Sequence, residues 1–171
     1  MSFELTAADW IQLITASAAA IAATVAILQN RLTKQQLDSS LRPWIGAAEG
    51  GLTLALPDRV TFAYKNYGQL PCKSMTGRVL RKTELFSREE LAESNTNPSS
   101  KMGVIHPDQN KAWYVDMKKE VILTALSGKE PLFIGISLSY TYADNRQGEY
   151  GVIYEFAFRT RQFMIREEWS E

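Results

Sequence analysis

The stretch that decides the fold runs from Leu132 to Phe158 and reads Leu-Phe-Ile-Gly-Ile-Ser-Leu-Ser-Tyr-Thr-Tyr-Ala-Asp-Asn-Arg-Gln-Gly-Glu-Tyr-Gly-Val-Ile-Tyr-Glu-Phe-Ala-Phe. Large apolar side chains occupy every second position on both sides of the polar segment Asp144–Gly148, which is the pattern of two half-buried strands. A polar loop that contains glycine and joins two such runs is typical of a β-hairpin. We therefore predict a hairpin here, and we expect its apolar face to supply most of a hydrophobic core.

Shorter runs with the same alternation lie between Trp44 and the hairpin. In the clearest of them, Val60, Phe62 and Tyr64 alternate with small or polar residues. The remaining predicted elements are strands over residues 52–56, 72–83, 102–105 and 112–117 and a short helix over residues 118–126. Roughly six or seven short strands with irregular turns predict an antiparallel β-sandwich of immunoglobulin-like architecture. The Cys-Trp-Cys core pattern of antibody domains is missing, so the architecture alone is implied.

The predicted strand around Phe62 ends in the turn Asn66-Tyr-Gly-Gln-Leu-Pro71. Asn66, Gly68 and Pro71 are the residues expected to shape this turn. Glycine adopts a positive φ without steric cost, and proline fixes the direction in which the chain leaves. We predict a structural role for these three residues.

The other informative segment is the apolar run from Trp10 to Leu28, which contains no charge, proline or glycine. As a helix it would be about 29 Å long, close to the thickness of the hydrocarbon core of a bilayer. We predict a transmembrane helix that continues beyond the membrane to about residue 40 and stops at Arg42-Pro43. The residues expected to contact lipid or the interface include Trp10, Leu13, Ile14, Ser17, Ile21, Val25 and Leu28.

The flanks of this run predict an orientation. The first nine residues carry acidic but no basic side chains, whereas Arg31, Lys34 and Arg42 follow the run. Basic residues are retained on the cytoplasmic side, so we expect a single-pass protein of the cell membrane with its soluble domain in the cytoplasm. Two alternatives stay open, namely a secretory signal peptide and a helix that packs into a larger protein assembly.

The apolar run is rich in alanine, and Ala16, Ala20 and Ala23 fall on one helical face. Small residues at such spacings allow close helix packing in lipid and therefore suggest a homo-oligomer. The plain alternative is that alanine is simply a good helix former.

Composition limits the domain count and the partners. A chain of 171 residues accommodates the helical segment 1–41 and one β-sandwich domain, 42–171. It has 19 basic and 19 acidic residues, so we expect no nucleic-acid partner. One cysteine excludes an internal disulfide framework. The expected partners are membrane lipid, through residues 10–28, and another membrane or cytoplasmic protein.

Three short motifs resemble a known group of proteins. They are the entry Arg42-Pro43-Trp44, the turn from Asn66 to Pro71, and Tyr140-Thr-Tyr-Ala-Asp144 before Gly148. Together with the N-terminal helix they resemble small uncharacterised bacterial membrane-anchored proteins that carry a β-sandwich domain. The resemblance implies the fold, membrane attachment and a prokaryotic source, and it implies no catalytic residue.

The residue types that carry chemistry form no recognisable constellation in the sequence. His106 is the single histidine and Cys72 the single cysteine, and their spacing matches neither a zinc site nor a nucleophile with its base. We therefore predict no enzyme, no catalytic residue, no metal and no cofactor. The lysine after Cys72 is expected to lower the pKa of its thiol slightly.

These observations lead to two functional predictions. The first is a membrane-anchored β-sandwich interaction module, an adaptor or accessory protein, with the loop residues Asp144, Arg146 and Gly148 and the segment 87–101 as interaction surfaces. The second is a membrane-active effector whose alanine-rich helices assemble into a pore or bundle under the control of the β domain.

Overall fold

The computed structural model describes residues 6–56, 58–94 and 100–171. The chain divides into an N-terminal unit that ends at Leu41 and a second compact unit, Arg42–Glu171. The prediction of a mainly β chain that follows one long apolar N-terminal helix is confirmed. The helices and strands are, in chain order, α1 (Ala7–Leu41), β1 (Ile45–Leu56), β2 (Arg59–Asn66), β3 (Ser74–Lys82), α2 (Arg88–Glu93), β4 (Ser100–Lys101), β5 (Asn110–Asp116), α3 (Lys119–Leu126), β6 (Phe133–Thr141), β7 (Gln147–Ala157) and β8 (Gln162–Ser170).

Helix α1 has 35 residues and would be about 52 Å long. The hydroxyl side chains of Thr15, Ser17 and Thr24 bond back to the preceding turn, as expected for polar groups that must be satisfied within an apolar helix. The Oγ1 atom of Thr15 donates to the carbonyl of Ile11 at 2.8 Å, and that of Thr24 donates to Ala20 at 2.9 Å. The helix ends two residues before Pro43, as predicted.

The second unit consists of two antiparallel sheets. One has three strands in the order β1-β2-β5, and the other has five in the order β4-β3-β6-β7-β8. The predicted hairpin is confirmed as β6 and β7, whose ladder runs from Phe133 opposite Glu155 to Thr141 opposite Gln147. This hairpin lies at the centre of the larger sheet because β3 and β8 flank it.

The main core lies between the two sheets. Phe62 of β2 is fully buried and stacks on Tyr150 of β7 with a ring-centroid distance of 6.5 Å. A second, smaller core covers part of the opposite face of the large sheet, where Phe86 and Leu91 pack on Phe133 and Ile153. Strand β6 is therefore buried on both faces for most of its length. The sequence pattern predicted burial on one face.

Several predicted element boundaries were wrong. Residues 102–104 form no strand, and Ile105 makes only an isolated bridge to Cys72. Strand β3 begins at Ser74 rather than Cys72, and β8 was not predicted. A β-bulge between Ile153 and Tyr154 of the β7–β8 ladder shifts the alternation in β8 and conceals it in the sequence.

Parts of two predictions lie outside the described residues. They are residues 95–99 of the expected interaction segment and residues 1–5 of the acidic flank. The described start of the segment 87–101 is helix α2, which Ser87 caps by accepting a hydrogen bond from the backbone of Glu90.

Candidate functional site

The predicted membrane residues lie on α1 with their side chains exposed. The exposed set comprises Trp10, Leu13, Ile14, Ser17, Ile21, Val25 and Leu28. The segment Trp10–Leu37 contains an 18-residue window with a mean hydropathy of 2.0 and is long and apolar enough to cross a membrane. By length and composition alone, a signal sequence near an N-terminus would meet the same criterion. Ala16, Ala20 and Ala23 are also exposed, and the prediction that they pack against a second helix stays a prediction.

The predicted turn after β2 is organised by the side chain of Asn66, which is fully buried. Its Oδ1 atom accepts hydrogen bonds from the backbone N–H groups of Trp44 at 3.2 Å and Gly68 at 2.9 Å. Its Nδ2 atom donates to the carbonyl of Leu70 at 2.8 Å and lies 3.5 Å from that of Ile105. One amide side chain thus holds together the domain entry, the turn and the isolated bridge.

The role expected for Gly68 needs a correction. Its φ is not positive, so the turn does not use the conformational freedom of glycine. A Cβ atom at this position would instead lie 2.2 Å from the carbonyl oxygen of Arg42 and 2.5 Å from the backbone nitrogen of Trp44. Glycine is required because the backbone of the turn lies directly against the backbone of the segment Arg42–Trp44.

The third motif, Tyr140–Asp144, contacts the same entry segment, Arg42–Trp44. The hydroxyl of Tyr140 donates to the carbonyl of Pro43 at 3.3 Å. Gly148 lies opposite Tyr140 in the hairpin, and a Cβ atom on it would lie 2.5 Å from the Tyr140 ring. The three motifs therefore meet around Pro43 and Trp44, and the contacts they make there are structural.

The predicted interaction loop adjoins a polar groove on the outer face of the large sheet. The loop turns through a short 3-10 helix, Ala143–Asn145, and the backbone of Tyr142 donates to Arg146 at 3.0 Å. Asn145 has a φ of 58°, a left-handed conformation that asparagine tolerates better than most residues. The backbone of Asp144 belongs to this turn, and Gln147 and Gly148 line the groove that follows.

The polar groove has a volume of about 420 Å³. Its lining residues are Ser74, Thr76, Ser139, Tyr140, Thr141, Gln147, Gly148, Glu149 and Glu171. The hydroxyls of Ser74 and Thr141 are 2.8 Å apart and hydrogen-bonded. At the rim, the carboxylate of Glu149 accepts a hydrogen bond from Ser137 at 3.1 Å, and that of Glu171 pairs with Arg88.

The groove combines residues that the sequence analysis singled out with residues that it missed. Gly148 was predicted from the loop. In the sequence, the hydroxyl residues of β6 are simply the polar positions of an alternating strand. Nothing in the sequence indicates that Ser74, Thr76 and Glu171 lie beside them. Two carboxylates line the groove. That of Glu171 pairs with Arg88, so Glu149 is the lining residue that favours a polar ligand with positive charge.

Groups of potential reactivity lie away from the groove. Cys72 is fully buried, and burial raises the pKa of its thiol to about 11. The expected lowering by the adjacent lysine was therefore wrong, because desolvation dominates. His106 is exposed in a turn. Among residues 6–56, 58–94 and 100–171, no group of three or more His, Cys, Asp or Glu side chains is placed to hold a metal ion.

Comparisons of the chain with protein-family models, with curated proteins and with solved structures found no significant match. The architecture described above therefore comes from the structure of this chain itself.

Proposed function

We propose that this protein is a single-pass membrane-anchored interaction module, an adaptor or accessory protein that acts by binding and not by catalysis. Helix α1 would hold it in the cell membrane, and the β domain would bind a second protein through the polar groove. The basic residues Arg31, Lys34 and Arg42, which follow the apolar run, favour a cytoplasmic β domain. The likeness of the motifs to those of small bacterial membrane-anchored proteins belongs to the same proposal.

The order of the strands supports an immunoglobulin-like β-sandwich. In an immunoglobulin domain, strands A, B and E lie in one sheet, and strands C, F and G lie in the other, with C′ beside C in variable-type domains. Here β1-β2-β5 follow the order A-B-E, and β4-β3-β6-β7 follow the order C′-C-F-G. Strand β8 would then be an addition outside strand G. Sandwiches of this kind carry binding sites on loops and sheet faces supported by a rigid core.

The single observation that carries the binding proposal is the groove beside the hairpin loop. It offers hydroxyl, amide and carboxylate groups on a sheet face whose opposite side is fully packed. Such a surface is rigid, so a partner binds it without first paying to order it. The carboxylate of Glu149 in the lining favours a segment of the partner that carries lysine or arginine.

Site-specific photo-crosslinking of the full chain in its native membrane tests this proposal. We expect a crosslinking residue at Gln147 to give a protein adduct of defined mass, and one at Thr160, an exposed turn residue remote in the β7–β8 connection, to give none. Ser139 is exposed in the middle of the groove. Ser139→Trp should therefore abolish the adduct, and Ser139→Thr should keep it. Equal adducts at both positions, or an adduct unaffected by Ser139→Trp, would contradict the proposal.

A further inference from the structure

Strand β8 is a long, exposed sheet edge. It pairs with β7 along one side, and in the part of the chain that the structure describes no strand lies along its other side. Met164 and Ile165 are 53% and 50% exposed on it. Such an edge presents unpaired backbone groups and apolar side chains to any chain that can add a strand.

The other sheet edges are less available. At Ala47 of β1, the backbone N–H donates to the hydroxyl of Tyr150 at 3.1 Å, and the carbonyl accepts from Tyr67 at 2.8 Å. Tyrosine hydroxyls thus occupy the groups that a new strand would need there. In the larger sheet, β4 pairs with β3 at Thr76 and Gly77 and so divides that edge into short free stretches. Among the described strands, the longer free edges are those of β5 and β8.

The bulge in β8 determines which side chains share a face. Ile165 lies opposite Tyr154 and Glu168 opposite Val152, so both are on the side of the main core. Glu167 lies opposite Ile153, on the side of the smaller core. Arg166 is the extra residue of the bulge, and it pairs with Glu155.

Because Arg166 bonds to Glu155, it lies on the outer face together with Glu167. Met164, opposite Glu155, and Trp169, opposite Gly151, share this face. In a regular strand, side chains alternate between the two faces of the sheet. Two copies of such a strand can pair with matching faces only if the two-fold axis passes through a residue position. The bulge puts Arg166 and Glu167 on the same face of the sheet. In β8 the faces of two copies therefore match when the two-fold axis passes between these two residues.

We propose that β8 pairs in antiparallel fashion with β8 of a second copy of this chain, about a two-fold axis between Arg166 and Glu167. In this register Arg166 lies opposite Glu167 of the second copy, and the symmetry makes this pair twice. Met164 lies opposite Trp169 and Ile165 opposite Glu168, so every pair joins side chains on the same face. The two five-stranded sheets become one continuous sheet.

The charges favour a second copy over an unrelated strand. Opposite charges directly across an antiparallel pair are stabilising, and like charges are destabilising. A guanidinium has five N–H donors, so Arg166 can keep its bond to Glu155 while it contacts the second Glu167. The contact is self-complementary and closed, which limits the assembly to a dimer.

Strand β5 lacks this complementarity. Its ladder with β2 runs without a bulge from Arg59 opposite Asp116 to Lys65 opposite Asn110. If Lys111 lay opposite Asp116 of another copy, the two-fold axis would pass between two residue positions. In a regular strand this register puts the two charges on opposite faces of the sheet. The edge of β8 is therefore the one that suits self-association.

A charge-exchange experiment tests the register. Full-length chains with two different affinity tags are mixed in detergent micelles, and co-purification measures their association. Arg166→Glu places Glu opposite Glu, and Glu167→Arg places Arg opposite Arg. We expect each variant to associate with itself about tenfold more weakly than wild type does. A mixture of the two variants should regain association, because it restores opposite charges at both positions.

A second measurement keeps the test independent of electrostatics. In a Cys72→Ala background, Ile165→Cys with Glu168→Cys should give a disulfide-linked dimer under mild oxidation, whereas each single cysteine should not. Positions 165 and 168 of one chain lie opposite Tyr154 and Val152, about 7 Å apart along the strand, so non-reducing electrophoresis must separate the linked dimer from a bridge within one chain. The proposal is overturned if association does not depend on the charges at positions 166 and 167, which is the result that contacts through α1 would give. It is also overturned if the wild-type protein is monomeric. The contact uses no side chain that lines the polar groove, so its failure leaves the proposed function standing.

Discussion

Replacing Asn66 by alanine should destabilise the β domain more than any other loss of one polar side chain outside the groove. The amide makes three hydrogen bonds of 3.2 Å or less, to Trp44, Gly68 and Leu70. Each is worth about 1 kcal/mol net, and groups left unpaired in a buried site add to the cost. We therefore expect Asn66→Ala to lower the free energy of unfolding by about 3–5 kcal/mol.

Urea unfolding of the full chain in detergent micelles measures this loss. Tryptophan fluorescence follows the transition, and Trp44, one of four tryptophans in the chain, lies beside the turn. A loss of this size shifts the urea midpoint by about 1–3 M at an unchanged slope. Asn110→Ala is the matched control, because Asn110 is exposed and its truncation should cost less than about 0.5 kcal/mol. If the two alanine variants unfold within about 1 kcal/mol of each other, the assigned role of Asn66 is wrong.

The pH dependence of the Asn66→Asp variant tests the direction in which its stability changes. The carboxyl group would be buried and would face the carbonyls of Leu70 and Ile105, where the amide now donates. Burial and these carbonyls would raise its pKa in the folded state above the unfolded value, so the folded state would bind more protons. The stability of this variant should therefore fall as the pH rises from about 4 to about 7. A rise in stability over that range would contradict the geometry.

Three further predictions follow from close contacts, burial and orientation. Gly68→Ala should destabilise the domain more than Gly103→Ala does in urea titrations. A Cβ atom at Gly68 would lie 2.2 Å from backbone, whereas one at Gly103, which has a φ of 69°, would have no neighbour within 4 Å. Equal losses of stability would contradict this prediction. Burial raises the pKa of the Cys72 thiol from 9.0 to about 11, so the folded state keeps a proton that the unfolded chain loses, and stability should fall as the pH rises above 9. Cys72→Ala should lose less stability than wild type between about pH 8 and about pH 10, and parallel curves would refute a contribution from this thiol. In the Cys72→Ala background, Thr160→Cys should resist a membrane-impermeant maleimide in intact cells and react after lysis; labelling of intact cells would overturn the proposed orientation.

The elements that could be predicted from the sequence are those in which one local pattern is sufficient. Trp10 to Leu28 is uncharged throughout and mostly apolar, and β6 and β7 alternate regularly, so the helix and the hairpin were predicted without knowledge of any contact. Helix α3 was predicted within one residue of its start, yet Val121, which was expected to pack, is 37% exposed. Local periodicity indicates that a helix has an apolar face, and only the packing determines how much of that face is covered.

The candidate surfaces depended on tertiary contacts. The polar groove joins Ser74, Ser139 and Glu171, which are far apart in the chain and lie together because β3, β6 and the C-terminus meet on one sheet face. Strand β8 escaped prediction because its bulge breaks the alternation on which strand prediction depends. The same bulge determines how β8 can pair with another copy.

Sequence alone determined the long apolar helix, the central hairpin and the positions of the turns, because each follows from the polarity of neighbouring residues or from backbone preferences. The tertiary structure decided the reasons for particular residues and the surfaces they form. Gly68 is required by the backbone of Arg42 and Trp44, and Asn66 bonds to Trp44 and Ile105 in addition to the groups of its own turn. Such requirements arise between residues distant in sequence, so no local pattern encodes them.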